Sequence, residues 1–548
     1  MFFTHIIVSL QNICCTSAMK TTRLMTEQER ILPVGIQSFV EVRRNGYVYV
    51  DKTDLVWQLV NKGRQHNYFI RPRRFGKSLL VDTLACYLSG RKELFEGLKI
   101  MDLEKEWVKR PVIRLDMSRG GASAVTIRSY LDNLFDQYEK EYNITPKPTA
   151  QLADRFDAII REAYESTGQQ VAILIDEYDS PLQHSWKTPQ HEECTAVYRE
   201  VFAILKADDE YEKFVFITGI TKFTQISLFS VLNNLSNISF DPRFVAICGI
   251  TEKEIDDNFQ PEVEQMAEQN GWTNEEARNR LKEYYDGYHF SRLNMEDVYN
   301  PFSLVNALAD RDIRNYWASS GATSLLPKFI TDAEIRMKSF DGCPILRNTI
   351  ETSDVTGGGP ELFLYQSGYL TIKSSDEFGY ILGFPNEEVK QALFGTVLPV
   401  LTMRREGDIQ SMQASLFYQL GTCQLDDAKK TLKSLVADVP YSNKKLASID
   451  MEERYRLIIS TILNAIGCRV EVERMLNGGR IDIVAWTSRY IYVMELKLQN
   501  NGGMKAAAQQ IADNGYLEPF KSDKRKVIGL AVELDDMGKG VIDWQVVE

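Results

Sequence analysis

Histidine is scarce and cysteine is scattered: 5 and 8 residues respectively in a chain of 548. The cysteines stand at Cys14, Cys15, Cys86, Cys194, Cys248, Cys343, Cys423 and Cys468, and no CxxC pair occurs. Neither a zinc site nor a disulfide framework is indicated, and a reducing cytoplasm suits these thiols best. Positive charge is not in excess either. A net charge of −12 argues against a bulk electrostatic nucleic-acid binder, although a local basic groove stays open. No apolar run is long enough to cross a bilayer, so no membrane association is expected. Met1 to Leu10 is apolar but short, and no basic segment precedes it, which weakens a signal-peptide reading. Residues 1–29 are expected to form a leader outside the fold, with Met19 or Met25 as alternative starts. Internal repeats and low-complexity tracts are absent. Hydrophobic content of 44% and charged content of 26% are ordinary for a soluble globular protein. The length exceeds one comfortable core, so roughly two to four domains are expected.

A glycine is missing where a phosphate-binding loop would begin. In Arg71-Pro72-Arg73-Arg74-Phe75-Gly76-Lys77-Ser78, the first glycine of GxxxxGK[ST] is replaced by Arg71. The remaining layout is that of a P-loop: strand-like Asn67-Tyr68-Phe69-Ile70, a loop, Gly76-Lys77-Ser78, then a helical pattern through Val81, Leu84 and Leu88. Free N–H groups at a helix N-terminus face phosphates, and the helix dipole favours their charge. Lys77 would reach the β- and γ-phosphates, and the Ser78 hydroxyl would hold Mg²⁺. Gly-Lys-Ser also arises by chance, and Arg71, Arg73 and Arg74 equally suit a solvated basic loop.

Val171-Ala172-Ile173-Leu174-Ile175 is a continuous apolar run ending in Asp176 and Glu177. Such a run reads as a strand buried on both faces of a parallel sheet. Acids at its carboxyl end lie where doubly wound sheets bind ligands. Asp176 is then a Walker B acid acting on Mg²⁺, and Glu177 a candidate base for the attacking water. Val215-Phe216-Ile217-Thr218 is a second buried strand, whose polar end offers Thr218 or Lys222 to a γ-phosphate. The alternation at Tyr47-Val48-Tyr49-Val50 predicts a further strand, and Asp51 and Thr53 a cap for the next helix.

Tyr49-Val50-Asp51-Lys52-Thr53, the arginine-rich loop with Phe75-Gly76-Lys77-Ser78, and Ile175-Asp176-Glu177-Tyr178-Asp179 together resemble the AAA-ATPase-like family. Its P-loop also lacks the first glycine, so Arg71 is in keeping with it. The segments Ser227–Leu235 and Ile247–Thr251 are similar to that family as well, and Thr251 with Glu254 reads as a capping box. Beyond Glu252 the pattern turns helical, and Tyr284–Phe290, Tyr299–Ser303 and Asn315–Trp317 resemble the family's helical part. The resemblance implies an ATP site built from Arg73, Arg74, Gly76, Lys77, Ser78, Asp176 and Thr218, covered by a helical lid. His289 could sense a ligand there, or pack in an aromatic cluster. Thr356-Gly357-Gly358-Gly359-Pro360 marks a flexible joint, Leu364 to Leu382 reads as β-rich, and 390–440 as helical.

A second centre lies near the carboxyl terminus. Arg480 to Trp486 and Tyr490 to Lys497 read as two strands after a turn at Asn477-Gly478-Gly479. Residues two apart share a face, so Glu495 and Lys497 point together, and Asp482 can lie beside them. Two carboxylates can hold a Mg²⁺ that activates water, while the lysine orients the nucleophile. Asp-x₁₂-Glu-x-Lys also occurs on any half-exposed hairpin. Gly479-Arg480-Ile481-Asp482, Met494-Glu495-Leu496-Lys497, Gln510-Ile511 and Tyr516 resemble the PD-(D/E)XK nuclease domain often fused to the ATPase-like family. The usual proline before the Asp is replaced by Ile481. The resemblance implies Asp482, Glu495 and Lys497 as the core, Gln510 as a supporting residue and Glu453 as an outer acid, with Glu471 or Glu473 contributing. Lys521, Lys524, Arg525 and Lys526 suit either phosphate contact or a solvated loop.

The expected architecture is therefore α/β: a P-loop NTPase with a doubly wound parallel sheet and helical lid, plus a carboxyl-terminal α/β restriction-endonuclease-like domain. The expected division is leader 1–29, ATPase-like domain 30–251, helical lid region 252–347, connecting β/helical region 348–440 and nuclease-like domain 441–548. The expected function is ATP-regulated, Mg²⁺-dependent cleavage of nucleic acid, DNA ahead of RNA, with a homo-oligomer allowed. The rival is a nucleotide-gated switch whose nuclease-like domain binds nucleic acid or a protein without cutting.

Overall fold

A computed structural model describes residues 30–145, 149–223, 235–319, 326, 341–355, 359–402, 406–437, 450–476 and 478–547. The leader, residues 227–234, the joint at 356–358 and Asn477 lie outside the described residues.

The inner strands of the first sheet are covered on both faces, and its edge strands are not. Its strands are β1 (His66–Ile70), β2 (Val112–Asp116), β3 (Val171–Asp176), β4 (Glu212–Gly219) and β5 (Ser236–Asn237). They pair in the order β2-β3-β4-β1-β5, and every pair is parallel. All residues of β1 and β3 are buried, and β3 has the continuous apolar run that a doubly covered parallel strand calls for. β4 thus separates the P-loop strand from the acid strand. The register Phe69↔Thr218 and Ile175↔Ile217 brings all three carboxyl ends to one edge.

Helix α1 (Lys77–Leu88) leaves that edge from Gly76. A long apolar core runs from Phe39 to Val397, and a second cluster from Ile250 to Tyr316 unites helices α2 (Glu252–Asn258), α3 (Gln260–Asn270), α4 (Asn274–Tyr285) and α5 (Pro301–Asp310). The Thr251–Glu254 capping box forms as expected. A small sheet of β6 (Cys343–Leu346), β7 (Thr371–Ser375) and β8 (Gly379–Gly383) follows in the order β6-β8-β7.

Two local expectations fail. Residues 47–50 form no strand, since their alternation finds no ladder; the Val48 N–H goes instead to the Ile31 carbonyl at 2.9 Å. Leu364 belongs to a helix, Gly359–Ser367, and strand structure begins only at Thr371. Tertiary burial on every side of that helix overrides its β-like composition.

Helices α6 (Glu387–Thr402), α7 (Glu406–Gly421) and α8 (Leu425–Ala437) lead to the last unit. There β9 (Arg469–Leu476), β10 (Gly479–Trp486), β11 (Tyr490–Leu498), β12 (Lys526–Leu534) and β13 (Val541–Val547) form one mixed sheet in sequential order. Ile483, Ala485, Tyr492 and Met494 face a core shared with α9 (Met451–Ala465). Ile481, Val484, Ile491 and Val493 face the core under α10 (Gly503–Asp513). From Ile483 to Met494 the two faces alternate, each covered by a helix, whereas Ile481 lies on the same side as Val484 and breaks the pattern next to Asp482.

Candidate functional sites

At the first site, Gly76 has φ +82°, a left-handed conformation that a side chain makes costly. Arg71, in place of the first glycine, is 1% exposed and not part of a solvated loop. Its guanidinium donates to the carbonyls of Ile70 (3.0 Å), Ser239 (2.9 Å) and Phe244 (3.3 Å). It also lies 3.8 Å from the Phe290 ring centroid and 4.5 Å from that of Phe69. Burial pulls its pKa down to about 10. Arg71→Gly, which restores the consensus glycine, is expected to destabilise the chain by about 2–4 kcal/mol, because three buried carbonyls lose their donor. A urea midpoint at or above the parent's would contradict this role.

Lys77 is buried and donates to the carbonyls of Arg71 and Pro72, both at 3.1 Å. Burial lowers its pKa, while Glu177, Asp176 and Asp179 oppose that fall. Burial raises Asp176, and a hydrogen bond from Ser78 and the charge of Lys77 resist the rise. The hydroxyl and carboxylate expected to share Mg²⁺ are therefore near enough to influence each other, and this pair of hard oxygens fits that ion. Glu177 adopts φ +47°, a strained conformation for a glutamate, and burial raises its carboxyl pKa as well. Thr218 is fully buried, and among the described residues its Oγ1 has no hydrogen-bond partner.

Arg73, Arg74, Gly76, Lys77, Ser78 and Glu177 line a cavity of about 500 Å³. Asp176 and Thr218 are outside its lining, although Asp176 Oδ1 accepts from the N–H of the lining residue Glu177 at 2.9 Å. The far wall is apolar, with Ile36, Val48, Val50, Phe259, Phe302 and Val305, and it suits a flat heterocycle. Lys52 also lines the cavity, paired with Glu254 at 2.6 Å. Sequence reasoning missed these wall residues because irregular segments far apart in the chain supply them. Lys222, one of two sensor candidates, donates to the carbonyls of Glu351 (3.3 Å) and Thr352 (3.1 Å) and does not line the cavity. His289 is paired with Asp297 at 2.6 Å and meets the Ile372 carbonyl at 3.0 Å, which is a packing role. From the helical part, Trp317 Nε1 (3.4 Å) and Asn300 Nδ2 (3.5 Å) donate to the Arg73 carbonyl.

At the second site, β10 and β11 pair antiparallel with Ile483 opposite Met494, so Asp482 and Glu495 occupy the next step on one face. Glu495 Oε1 lies 3.0 Å from Lys497 Nζ. Burial first, then the charge of Asp482, pushes the Glu495 carboxyl up to about 7. Its Oε2 is buried without a partner among the described residues, an orphaned oxygen that fits a cation. Asp482 is fully engaged: Oδ1 accepts from Arg456 at 2.8 Å and Oδ2 from the Leu496 N–H at 2.9 Å.

On α9, Glu452 reaches Lys497, at 3.7 Å. Glu453, the acid expected there, lines a neighbouring cavity of about 420 Å³ together with Arg456 and Glu471. Glu473 pairs with Arg456 and Arg480. Gln510 donates to Tyr516 Oη at 3.1 Å, and Tyr516 donates to the Arg480 carbonyl at 3.0 Å. Through Tyr516, Gln510 thus braces the strand just before Asp482. Arg525 is occupied by Asp523, and Lys521 by Glu518. Arg456 and Glu452 were missed; their signal was a helix stripe of charge, which reads equally well as a solvated face.

Fold and site define an α/β P-loop NTPase that carries a second, carboxyl-terminal α/β domain with an Asp/Glu-x-Lys centre. Family profiles match in the same places: one described as "Predicted AAA-ATPase" over residues 33–229 and one for the PD-(D/E)XK nuclease superfamily over 450–544. The chain belongs to the AAA-ATPase-like family, in the form fused to a PD-(D/E)XK nuclease superfamily domain. It is similar to an uncharacterized protein in the vnfD 5' region of Azotobacter chroococcum mcd 1. The two are 31% identical over 536 residues, covering 94% of this chain and 98% of that one. Among solved structures, the Aeropyrum pernix ORC2 protein in ADPNP–ADP complexes aligns at 12% identity and TM-score 0.26, covering 68% of this chain and 97% of that one. The Aeropyrum pernix ORC1 protein in complex with DNA aligns at 10% identity and TM-score 0.22, covering 62% and 89%. Superpositions that loose carry no argument about this chain. Among the described residues, no helix is long and apolar enough to cross a membrane.

Proposed function

We propose that the chain binds and hydrolyses ATP with Mg²⁺ at the first site and cleaves nucleic acid at the second, under nucleotide control. The observation that carries the first half is the gathering of Ser78, Glu177 and buried Lys77 on one cavity at the carboxyl end of the parallel sheet, with Asp176 beside them. Glu177 would polarise the attacking water, and Thr218, behind the cavity wall, could report on the phosphates only after a rearrangement. Glu177→Gln is expected to bind ATP normally but hydrolyse it at least about a hundredfold more slowly, since only the base is lost. A phosphate-release assay checks this, and parental turnover would remove Glu177 from the role.

The second half rests on Asp482, Glu495 and Lys497 converging on one face of β10 and β11, with Glu495 offering a free buried oxygen. Mg²⁺ held there would activate water and offset phosphate charge. Plasmid DNA and RNA incubated with and without Mg²⁺ and ATP would test for cleavage and show which polymer is the target.

Control by nucleotide is supported by an unbroken line of contacts. The Arg73 carbonyl in the P-loop receives Trp317 Nε1, and the Trp317 N–H goes to Glu388 on α6 at 2.7 Å. Leu398 of α6 shares a core with Ile458, Ile459 and Ile462 of α9, the helix that bears Glu452 and Arg456. Equal cleavage rates with ATP, with ADP and without nucleotide would refute the coupling. The second reading, a switch that binds without cutting, is favoured by one observation: Arg456 already neutralises Asp482.

A further inference from the structure

Arg456 lies in the second turn of α9 and is 7% exposed. Its guanidinium bridges Asp482 Oδ1 at 2.8 Å and Glu473 Oε1 at 3.1 Å. The other Asp482 oxygen is held by the Leu496 N–H, so neither oxygen is uncommitted. Beside it, Glu495 keeps one buried oxygen with no partner among the described residues. The centre is thus half ready for a cation: one carboxylate offers an oxygen, and the other is occupied by a positive side chain. A guanidinium and a divalent cation seek the same oxygen and repel each other, so they bind Asp482 in competition.

We propose that Arg456 is a displaceable counter-ion of Asp482, which sets the metal concentration at which the nuclease-like centre loads. Glu473 is the seat that retains the guanidinium after it leaves Asp482. The Glu473 backbone stands at φ +54°, and its carboxylate also pairs with Arg480 at 2.9 Å. Because Arg456 rides on α9, a shift of that helix against α6 would move the lock without touching the metal ligands. The proposal rests on the reading of Asp482 as a metal ligand, and the test separates the two.

The full chain, free of nucleotide, is titrated calorimetrically with Mn²⁺ as parent, Asp482→Asn, Arg456→Gln and Arg456→Lys. Arg456→Gln is expected to bind Mn²⁺ at least about tenfold more tightly than the parent, since the competing charge is gone. Arg456→Lys, which keeps the charge but not the two-carboxylate bridge, is expected to fall between them. If Arg456→Gln loses its cooperative melting transition, Arg456→Lys decides: tighter binding than the parent supports the lock, equal or weaker binding overturns it. If Asp482→Asn abolishes Mn²⁺ binding while neither arginine variant tightens it, Arg456 is a static structural pair and only the lock fails. If Asp482→Asn leaves Mn²⁺ binding unchanged, the metal-ligand reading fails, and the lock with it.

Discussion

Lys77→Ala is expected to show no measurable ATP binding at concentrations that saturate the parent chain. Lys77 is 6% exposed, and among the described residues its ammonium donates to two backbone carbonyls. Those partners are neutral, so the charge is available to a phosphate at the cavity wall. Hydrogen bonds to charged groups contribute about 1.5–3 kcal/mol each, and loss of two implies at least a hundredfold weakening. The substitution should be tolerated structurally, because Gly76 supplies the backbone turn and α1 begins independently of the side chain. Calorimetric titration with Mg²⁺-ATP reads the effect directly. Affinity within threefold of the parent's would end the assignment of this cavity to nucleotide.

Lys497→Ala should cut metal-dependent cleavage by about three orders of magnitude or more, in line with loss of a group that orients the nucleophile, while leaving ATP hydrolysis unchanged. Lys497 is the positive group lying between Glu495 and Glu452, at 3.0 and 3.7 Å. Its removal leaves two acids facing each other at a site where burial already holds Glu495 up to about 7. Cleavage of a labelled duplex, measured beside phosphate release from ATP, separates the two centres. Parental cleavage by the variant would defeat the nuclease reading, and a parallel loss of ATPase would point to misfolding instead.

Both centres were legible where the chemistry is local. Gly76-Lys77-Ser78 follows a buried strand and opens a helix within a dozen residues, so the missing glycine at Arg71 did not hide it. Asp482 and Glu495 meet through a tight antiparallel pair, whose register the sequence nearly dictates. What stayed hidden is supplied from afar. Arg456 and Glu452 come from a helix preceding the hairpin, and their charge resembles any solvated helix face. Trp317 and Asn300 reach the P-loop carbonyl across more than two hundred residues. Residues 47–50 alternate like a strand yet meet no ladder, because alternation reports a half-buried surface and not a hydrogen-bonded partner. Arg71 misled most, since three carbonyls can bury a guanidinium and nothing in the local sequence announces them.

That burial has a consequence for the order in which the molecule becomes competent during synthesis. The strand, the loop and Lys77 emerge early, but the seat of Arg71 is completed only by Ser239, Phe244 and finally Phe290. A nascent chain that stops short of Phe290 has every residue of the phosphate loop and an unhoused cation at its base. Folding of the loop must therefore wait for the segment that closes over it. Any nucleotide the cavity accepts would then meet a finished pocket.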